Sequence, residues 1–212
     1  MNFLGLDLSS ANTGWTLIEE MGEGRAPRIT CGSFTCRGED YDDNVRALSD
    51  HLYELLTGFR ARGIRVDLAG VEEPLRALPK RKKVISDGMF ASRTVEELAS
   101  NPHTMLVLPA MSGGALVMLH RFKIRAVLVN VAKWRMLCIG RAYAPRGTPE
   151  KEKNGWAKRE VRKWAADLGL RYGFIIKNSD QSDSVGIAVY AAIQHGNSMD
   201  VRKMLATRRV AA

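Results

Sequence analysis

The chain has 212 residues, 45% of them hydrophobic and 26% charged, and its 32 lysines and arginines outnumber its 23 aspartates and glutamates to give a net charge of +9. This composition is typical of a globular protein with a buried core, and the positive charge favours a polyanionic partner, nucleic acid first and an anionic membrane surface second. No apolar run is long enough to cross a bilayer, and the first residues lack the basic-then-apolar pattern of a secretory signal.

The three cysteines are Cys31, Cys36 and Cys138, which have neither paired spacing nor neighbouring histidines. They therefore predict neither a zinc site nor a disulfide framework. A reducing cytoplasm is the expected location.

Residues 1–19 predict two antiparallel strands with an acid at the turn between them. The apolar run FLGL ends at Asp7, and small polar residues separate it from a second apolar run, WTLI. Because side chains alternate along a strand, Asp7 is expected to share a face with Phe3 and Gly5. Its carboxylate either begins the turn by accepting hydrogen bonds from backbone amides or serves as a metal ligand, and this stretch leaves both interpretations open.

A third antiparallel strand, a helix and a parallel strand are predicted next. The strand is expected over residues 28–35, and the apolar residues of 43–60 recur at helical spacing. Residues 66–71 (VDLAGV) predict a buried strand, which a crossover helix would place parallel to the first strand. It ends at Glu72, with Glu73 beside it, so an acid again follows an interior strand.

Residues 75–101 predict a basic excursion without a long apolar face. Its cluster of positive side chains comprises Arg76, Lys80, Arg81, Lys82 and Lys83. The segment is either a solvated surface loop or a DNA contact, and the residues of this stretch do not decide between them.

Residues 109–121 predict a helix, with Pro109 suited to the first helical position. This helix has more apolar residues than one buried stripe requires, namely Met111, Ala115, Leu116, Val117, Met118 and Leu119. We therefore expect it to contribute to a dimer interface, at which Gly113 and Gly114 would allow close approach.

The next part of the chain is strongly basic. Residues 124–129 predict a third buried strand, residues 131–137 a helix ending at Gly140, and residues 142–155 a loop that leads into a helix over 156–168. Three aromatic residues, Tyr143, Trp156 and Trp164, lie among the basic ones. Cations that neutralise phosphates, together with rings that stack on bases, suit a nucleic-acid surface, although Trp164 is expected to pack in the core.

The last predicted helix covers residues 178–195 and carries Asp180 and Asp183 on one face of its first turn. These acids either complement the helix dipole or hold a ligand. The tail 197–212 has a basic bias typical of an arm. Without repeats or a linker, the pattern favours a single α/β domain over residues 1–212.

Together, Asp7, Glu72, Asp180 and Asp183 form a recognisable set. Acids gathered in a small volume raise each other's pKa, and hard divalent cations such as Mg²⁺ or Mn²⁺ relieve that repulsion. Two such ions about 4 Å apart can activate a water and stabilise the departing oxygen in phosphodiester hydrolysis. The sequence thus predicts a metal-dependent nuclease.

The order and intervals of these motifs resemble the RuvC-type Holliday junction resolvases of the ribonuclease H-like superfamily, with phage and prophage members as the nearest likeness. The matching segments are FLGLDLSSANTGW, AGVEEP, NVAKWRMLCIGR, WAKREV and SDQSDSVGIAVYAA. The resemblance implies a five-stranded mixed sheet flanked by helices, a homodimer in the cytoplasm of a bacterial host cell, and paired Mg²⁺-dependent nicks in four-way DNA, with two ions per active site. It also implies that Lys158, or second Lys133, approaches the scissile phosphate. The loop YAPRGTPEKEKNG looks inserted relative to the family.

On this interpretation the catalytic set is Asp7, Glu72, Asp180, Asp183 and Lys158, in which the four acids are the metal ligands. The expected DNA contacts are Arg76, Lys80, Arg81, Lys82, Lys83, Lys133, Arg135, Arg141, Lys151, Lys153, Arg159 and Arg162. Other functions stay open at this level: a non-catalytic protein that binds branched DNA, cleavage of RNA–DNA hybrids, or a nucleotide-binding domain of the actin-like or sugar-kinase type. The last resembles GLDLSSANTGW, but it usually requires two such domains and a second glycine-rich motif.

Overall fold

The structure is a computed structural model that describes residues 1–22, 25–74, 80–86, 92–98, 102–153 and 155–206, with the backbone alone for 80–86, 92–98, 102–104 and 150. The strands are β1 (Asn2–Asp7), β2 (Thr13–Glu19), β3 (Arg28–Phe34), β4 (Leu68–Glu72), β5 (Lys80–Ser86), β6 (Ser92–Leu98) and β7 (Arg125–Val129). The helices are α1 (Tyr41–Ala61), α2 (Pro102–Arg121), α3 (Val131–Ile139), α4 (Glu150–Lys153), α5 (Trp156–Tyr172), α6 (Ser179–Gln194) and α7 (Met199–Ala206). None of these helices is long and apolar enough to cross a membrane.

Five strands form one mixed sheet in the order β3-β2-β1-β4-β7. The first three are antiparallel neighbours, and β4 and β7 are parallel to β1. The predicted five-stranded mixed sheet is therefore confirmed. The prediction that 124–129 is a fully buried strand is wrong, because β7 lies at the edge of the sheet and leaves Leu128 43% exposed.

Helices cover both faces of the sheet, and β1 supplies side chains to both layers. Phe3 packs in a core with α3, α5 and α6, whereas Leu4 and Leu6 pack in a second core with α1 and α2. This division follows from the alternation of side chains along a strand, as predicted. Both cores are buried, so the strand that ends at Asp7 is fixed from above and below.

Glycines on one face of the sheet allow α6 to lie directly on it. A Cβ atom added at Gly5 would lie 2.3 Å from the carbonyl oxygen of Ser184, and one added at Gly14 would lie 2.0 Å from that of Asp180. Gly70 has a similar contact, in which an added Cβ would lie 2.9 Å from the Cβ of Ala191. The absence of side chains at these positions sets how close the first turns of α6 come to the ends of β1 and β4.

Helix α2 departs from its prediction in two respects. It begins at Pro102, so Pro109 lies inside the helix rather than at its start. Met111 and Ala115 are fully buried against the rest of the subunit. The prediction that these two residues lie at a dimer surface is therefore wrong. The exposed apolar side chains of this helix are instead Leu106 and Val117.

Two further segments were not predicted as ordered elements. Within the basic excursion, β5 and β6 pair as an antiparallel hairpin, in which Lys83 lies opposite Val95. After residue 197 the chain forms α7, whose Val201 and Met204 are buried, so the described part of the tail packs on the core. A hairpin with charged residues on both strands has no apolar alternation from which a strand could be recognised.

Candidate active site

Two neighbouring parallel strands bring the first two acids together. Leu6 in β1 pairs with Val71 in β4. Asp7 and Glu72 are the next residues of these strands, so they lie side by side at the same edge of the sheet. Helix α6 adds Asp180 and Asp183 from its first turns, and these four acids line one cavity of about 230 Å³. The turn after β1 and the N-terminal half of α2 complete the wall. These lining residues are Ser9, Ser10, Val107 and Leu108.

The structure separates the two candidate glutamates after β4. Glu72 faces the cavity. Glu73 points away from it and accepts a hydrogen bond of 3.1 Å from Nδ2 of Asn130, the residue that caps α3. On geometry, Glu72 is therefore the acid available to the site.

Burial acts on the pKa values of both Asp7 and Glu72. Asp7 is 9% exposed, and burial, followed by the nearby charges of Glu72, Asp183 and Asp180, raises its pKa well above its ordinary value. Burial also raises the pKa of Glu72, although its hydrogen bond with Asp7 and the positive charge of Arg135 work in the opposite direction. Each of the two carboxyl groups therefore binds a proton more readily than it would in water.

Asp183 is the acid with the clearest unmet bonding capacity. Burial raises its pKa to about 7, with the positive charge of Arg135 opposing the shift and the negative charge of Glu72 adding to it. Its Oδ2 lies 3.8 Å from a guanidinium nitrogen of Arg135. Its Oδ1 is buried and has no hydrogen-bond partner in the described part of the chain. A buried carboxylate oxygen with no partner is costly unless a cation completes its surroundings.

Asp180 is oriented by polar neighbours that sequence reasoning did not select. Nδ2 of Asn12 donates to its Oδ2 at 2.8 Å, and the hydroxyl of Ser179 donates to its Oδ1 at 3.3 Å. Asn12 lies in the first hairpin, two positions before Gly14, the residue that pairs with Asp7. Asparagine is an ordinary residue in a turn, so only the fold identifies Asn12 as a partner of Asp180.

Two cations lie at the cavity with the acids. Lys158 extends from α5, and Arg135 extends from α3. Both lower the pKa values of Glu72 and Asp183. Arg135 was predicted as a DNA contact. Its side chain is only 19% exposed and lines the cavity with the acids, whereas Lys133 is exposed and does not line this cavity.

Five further predicted DNA contacts with described side chains do not line this cavity. The side chains of Arg141, Lys151, Lys153, Arg159 and Arg162 are exposed, and Arg159 donates to the carbonyl oxygen of Glu152 at 2.9 Å. Lys80, Arg81, Lys82 and Lys83 lie on strand β5, of which the structure describes the backbone. Arg76 lies outside the described residues. The structure therefore groups the acids but leaves the DNA contacts as predictions.

The four acids offer the type of ligand atom that a hard divalent cation prefers. The donors are carboxylate oxygens, and Oδ1 of Asp183 is an orphaned buried acceptor among them. Among the described residues, however, no group of three or more acids, histidines or cysteines is arranged to hold a metal ion as it stands. The positive charge of Arg135 beside Asp183 offsets part of the negative charge that a cation would otherwise balance.

Comparison with known proteins gives the fold. No protein-family model and no curated protein matches the chain. Among solved structures it is similar to Thermus thermophilus RuvC, with a TM-score of 0.59 and 15% identity over 92% of this chain and 97% of that chain. It is also similar to Thermus thermophilus RuvC in complex with a Holliday junction substrate, with a TM-score of 0.55 and 13% identity over 92% and 97% of the two chains. The sheet order and these similarities together show that the chain has the ribonuclease H-like fold of RuvC.

Proposed function

We propose that this protein is a metal-dependent endonuclease that nicks branched DNA, with four-way junctions as the first substrate. The observation that carries the proposal is the convergence of Asp7, Glu72, Asp180 and Asp183 on one cavity from three separate elements. A set of buried acids that repel one another is unfavourable for folding, so its assembly at the edge of a sheet favours a role in chemistry. The fold shared with RuvC agrees with that role.

The carboxylates of this site would hold Mg²⁺ or Mn²⁺, two ions in the full complex, which would supply an activated water and charge stabilisation at the phosphate. Asp183 would offer its unpartnered Oδ1, and Asp7 and Glu72 would contribute carboxylate oxygens from the ends of β1 and β4. Asn12 would keep Asp180 in place. Lys158 would face the scissile phosphate, and Arg135 would hold Asp183 against the cavity wall.

A homodimer is part of this proposal, because two symmetric nicks require two active sites related by a two-fold axis. The exposed apolar residues of α2 are the surface that we assign to the contact, namely Leu106, which is 66% exposed, and Val117, which is 71% exposed. Gly113 lies exposed between them, and a Cβ atom added there would meet nothing within 4 Å. This stripe replaces the buried Met111 and Ala115 as the expected interface.

The proposal is tested by incubating the protein with four-way, three-way, flap and linear DNA, each labelled on every strand in turn, in Mg²⁺ and in EDTA. We expect Mg²⁺-dependent nicks in the branched substrates, at symmetric positions on opposing strands of the four-way junction. Binding of junctions without cleavage in Mg²⁺ or Mn²⁺ would contradict the nuclease assignment and favour a non-catalytic binding protein. Nicks on one strand alone would contradict the dimer.

Lys158→Ala is expected to lower the rate of nicking by about 100-fold, because a preorganised cation beside the reacting phosphate stabilises charge that develops there. Junction affinity should change by less than about threefold, since one exposed phosphate contact is a small part of the total. Single-turnover cleavage and filter binding separate the two effects. Lys163→Ala is the matched control, because Lys163 is exposed on the same helix and does not line the cavity. Equal losses of binding and rate would assign Lys158 to affinity alone.

A further inference from the structure

A second groove lies on the other side of α3 from the acids. It is an open depression of about 910 Å³ between α3, α6 and the loop that follows Gly140. Helix α3 contributes Lys133 and Met136, and α6 contributes Tyr190 and Gln194. The loop over 141–146 forms the opposite wall, and its residues 143–146 belong to the segment that looks inserted relative to the RuvC-type pattern.

The loop holds an aromatic ring out into solvent. Ala142 is buried, and a turn follows in which the amide and hydroxyl of Thr148 donate to the carbonyl oxygen of Pro145, the hydroxyl at 2.9 Å. Between these two fixed points Tyr143 is 77% exposed. Met136, on the facing helix, is 55% exposed. The groove thus offers a flat apolar surface, held by a loop that is tied down at both ends.

The charge of the groove is of one sign. Among the residues that the structure describes, its lining includes Lys133, Arg141 and Arg146 and no acidic residue. Exposed apolar surface flanked only by cations is complementary to a ligand with flat rings and negative charge. A nucleobase with its phosphates has both the flat ring and the negative charge, whereas a peptide would need an aromatic side chain flanked by acidic ones.

The groove is also close to the acids. Asp183 and Tyr190 lie on the same helix, seven residues apart, which corresponds to roughly 10 Å along its axis. That distance is about three nucleotide steps at 3.4 Å per step. On α3, Arg135 faces the acids and Lys133 faces the groove. A strand that passes through the acid site could therefore continue into the groove.

We infer that this groove binds an unpaired nucleobase and its neighbouring phosphates, in a single-stranded DNA segment that adjoins the cleaved position. Tyr143 stacks on the base, and Lys133, Arg141 and Arg146 contact the phosphates. Bases within a duplex have their faces covered by neighbouring bases, so the groove selects single-stranded over double-stranded DNA. The inference rests on the proposed nuclease function for its placement beside a cleaved strand, but the binding itself does not depend on catalysis.

The test is binding of labelled oligothymidylate and of a duplex of equal length, measured by fluorescence anisotropy in EDTA so that cleavage plays no part. Tyr143→Ala should weaken oligothymidylate binding by about 5- to 100-fold and duplex binding by less than about twofold. Tyr143→Phe keeps the ring and should bind as the wild type does. Tyr41→Ala is the matched control, because Tyr41 is 47% exposed at the start of α1 and does not line the groove.

The outcomes separate this inference from the proposed function. Unchanged oligothymidylate binding by Tyr143→Ala, or an equal loss for duplex, overturns the stacking site even if branched DNA is cleaved. Equal losses in Tyr143→Phe and Tyr143→Ala would overturn stacking in favour of the hydroxyl. A selective loss in Tyr143→Ala supports the groove, and it does so also when no DNA is cleaved, in which case the nuclease proposal alone fails.

Discussion

Asp183→Asn is expected to abolish cleavage and, in metal-free buffer at pH 8, to make the protein more stable than the wild type. The carboxyl group is buried, and its pKa of about 7 lies well above 3.8, the ordinary value for an aspartate in water. The stabilisation of the protonated form is therefore fully present below about pH 4 and is lost as the pH rises through 7. At pH 8 the wild type must hold a buried charge, whereas asparagine is neutral at every pH.

The size of this effect follows from the linkage between pKa and stability. A shift of about three units corresponds to roughly 4 kcal/mol as an upper bound, at about 1.36 kcal/mol per unit. Because the pair with Arg135 is lost in the variant, we expect a gain of about 1–3 kcal/mol at pH 8. The melting temperature should rise by about 2–10 °C at that pH and by much less at pH 5. Thermal unfolding in EDTA at the two pH values measures both.

Addition of Mg²⁺ should reverse the order of the two proteins. A ligand that binds only the folded state stabilises it by an amount that grows with the logarithm of its concentration above Kd, and the wild type alone retains the full carboxylate set. Asp50→Asn, at an exposed position on α1, is the control and should show neither effect. A variant that nicks DNA normally, or that is less stable than the wild type at pH 8, would contradict the assignment of Asp183 as a metal ligand.

Much of this fold could be predicted because the buried strands carry strong local patterns. The alternation in β1 predicted which side chains would enter each core, and the crossover helix predicted that β4 would be parallel to β1. Those two predictions place Asp7 and Glu72 together, since the carboxyl ends of adjacent parallel strands meet at one edge of a sheet. The spacing of Asp180 and Asp183 then identified which face of α6 would meet them.

The role of Arg135 could not be read from the sequence, because it depends on how α3 is rotated about its axis. Trp134 is fully buried and lies against α6, where a Cβ atom added at Gly186 would lie 2.5 Å from its ring. Residues on either side of an anchored helical position point about 100° away in opposite directions. The tryptophan thus directs Arg135 toward the acids and Lys133 toward the second groove. A basic run alone contains no information about that rotation.

Gly5→Ala is expected to destabilise the protein by about 3 kcal/mol and to lower its melting temperature by about 6–12 °C. The added Cβ would lie 2.3 Å from the carbonyl oxygen of Ser184 and 2.5 Å from the amide nitrogen of Ala188, so α6 must move as a unit away from β1. That movement separates Asp183 from Asp7. A displacement of about 1 Å in a reacting group costs on the order of 100-fold in rate, so nicking should fall even at temperatures where the variant is folded.

Two other glycines provide a graded comparison for Gly5→Ala. At Gly70 an added Cβ would lie 2.9 Å from the Cβ of Ala191, 3.0 Å from Cγ2 of Ile187 and 3.2 Å from the carbonyl oxygen of Ile187. These overlaps are smaller than those at Gly5, so Gly70→Ala should be destabilised less. At Gly58, inside α1, nothing lies within 4 Å, and Gly58→Ala should be more stable by about 0.5–1 kcal/mol with unchanged nicking. Calorimetry and single-turnover cleavage of the three variants would show this order if glycine contacts hold α6 on the sheet. If Gly5→Ala were as stable and as active as Gly58→Ala, the position of the acids would have to be set by the packing of α5 and α6 instead.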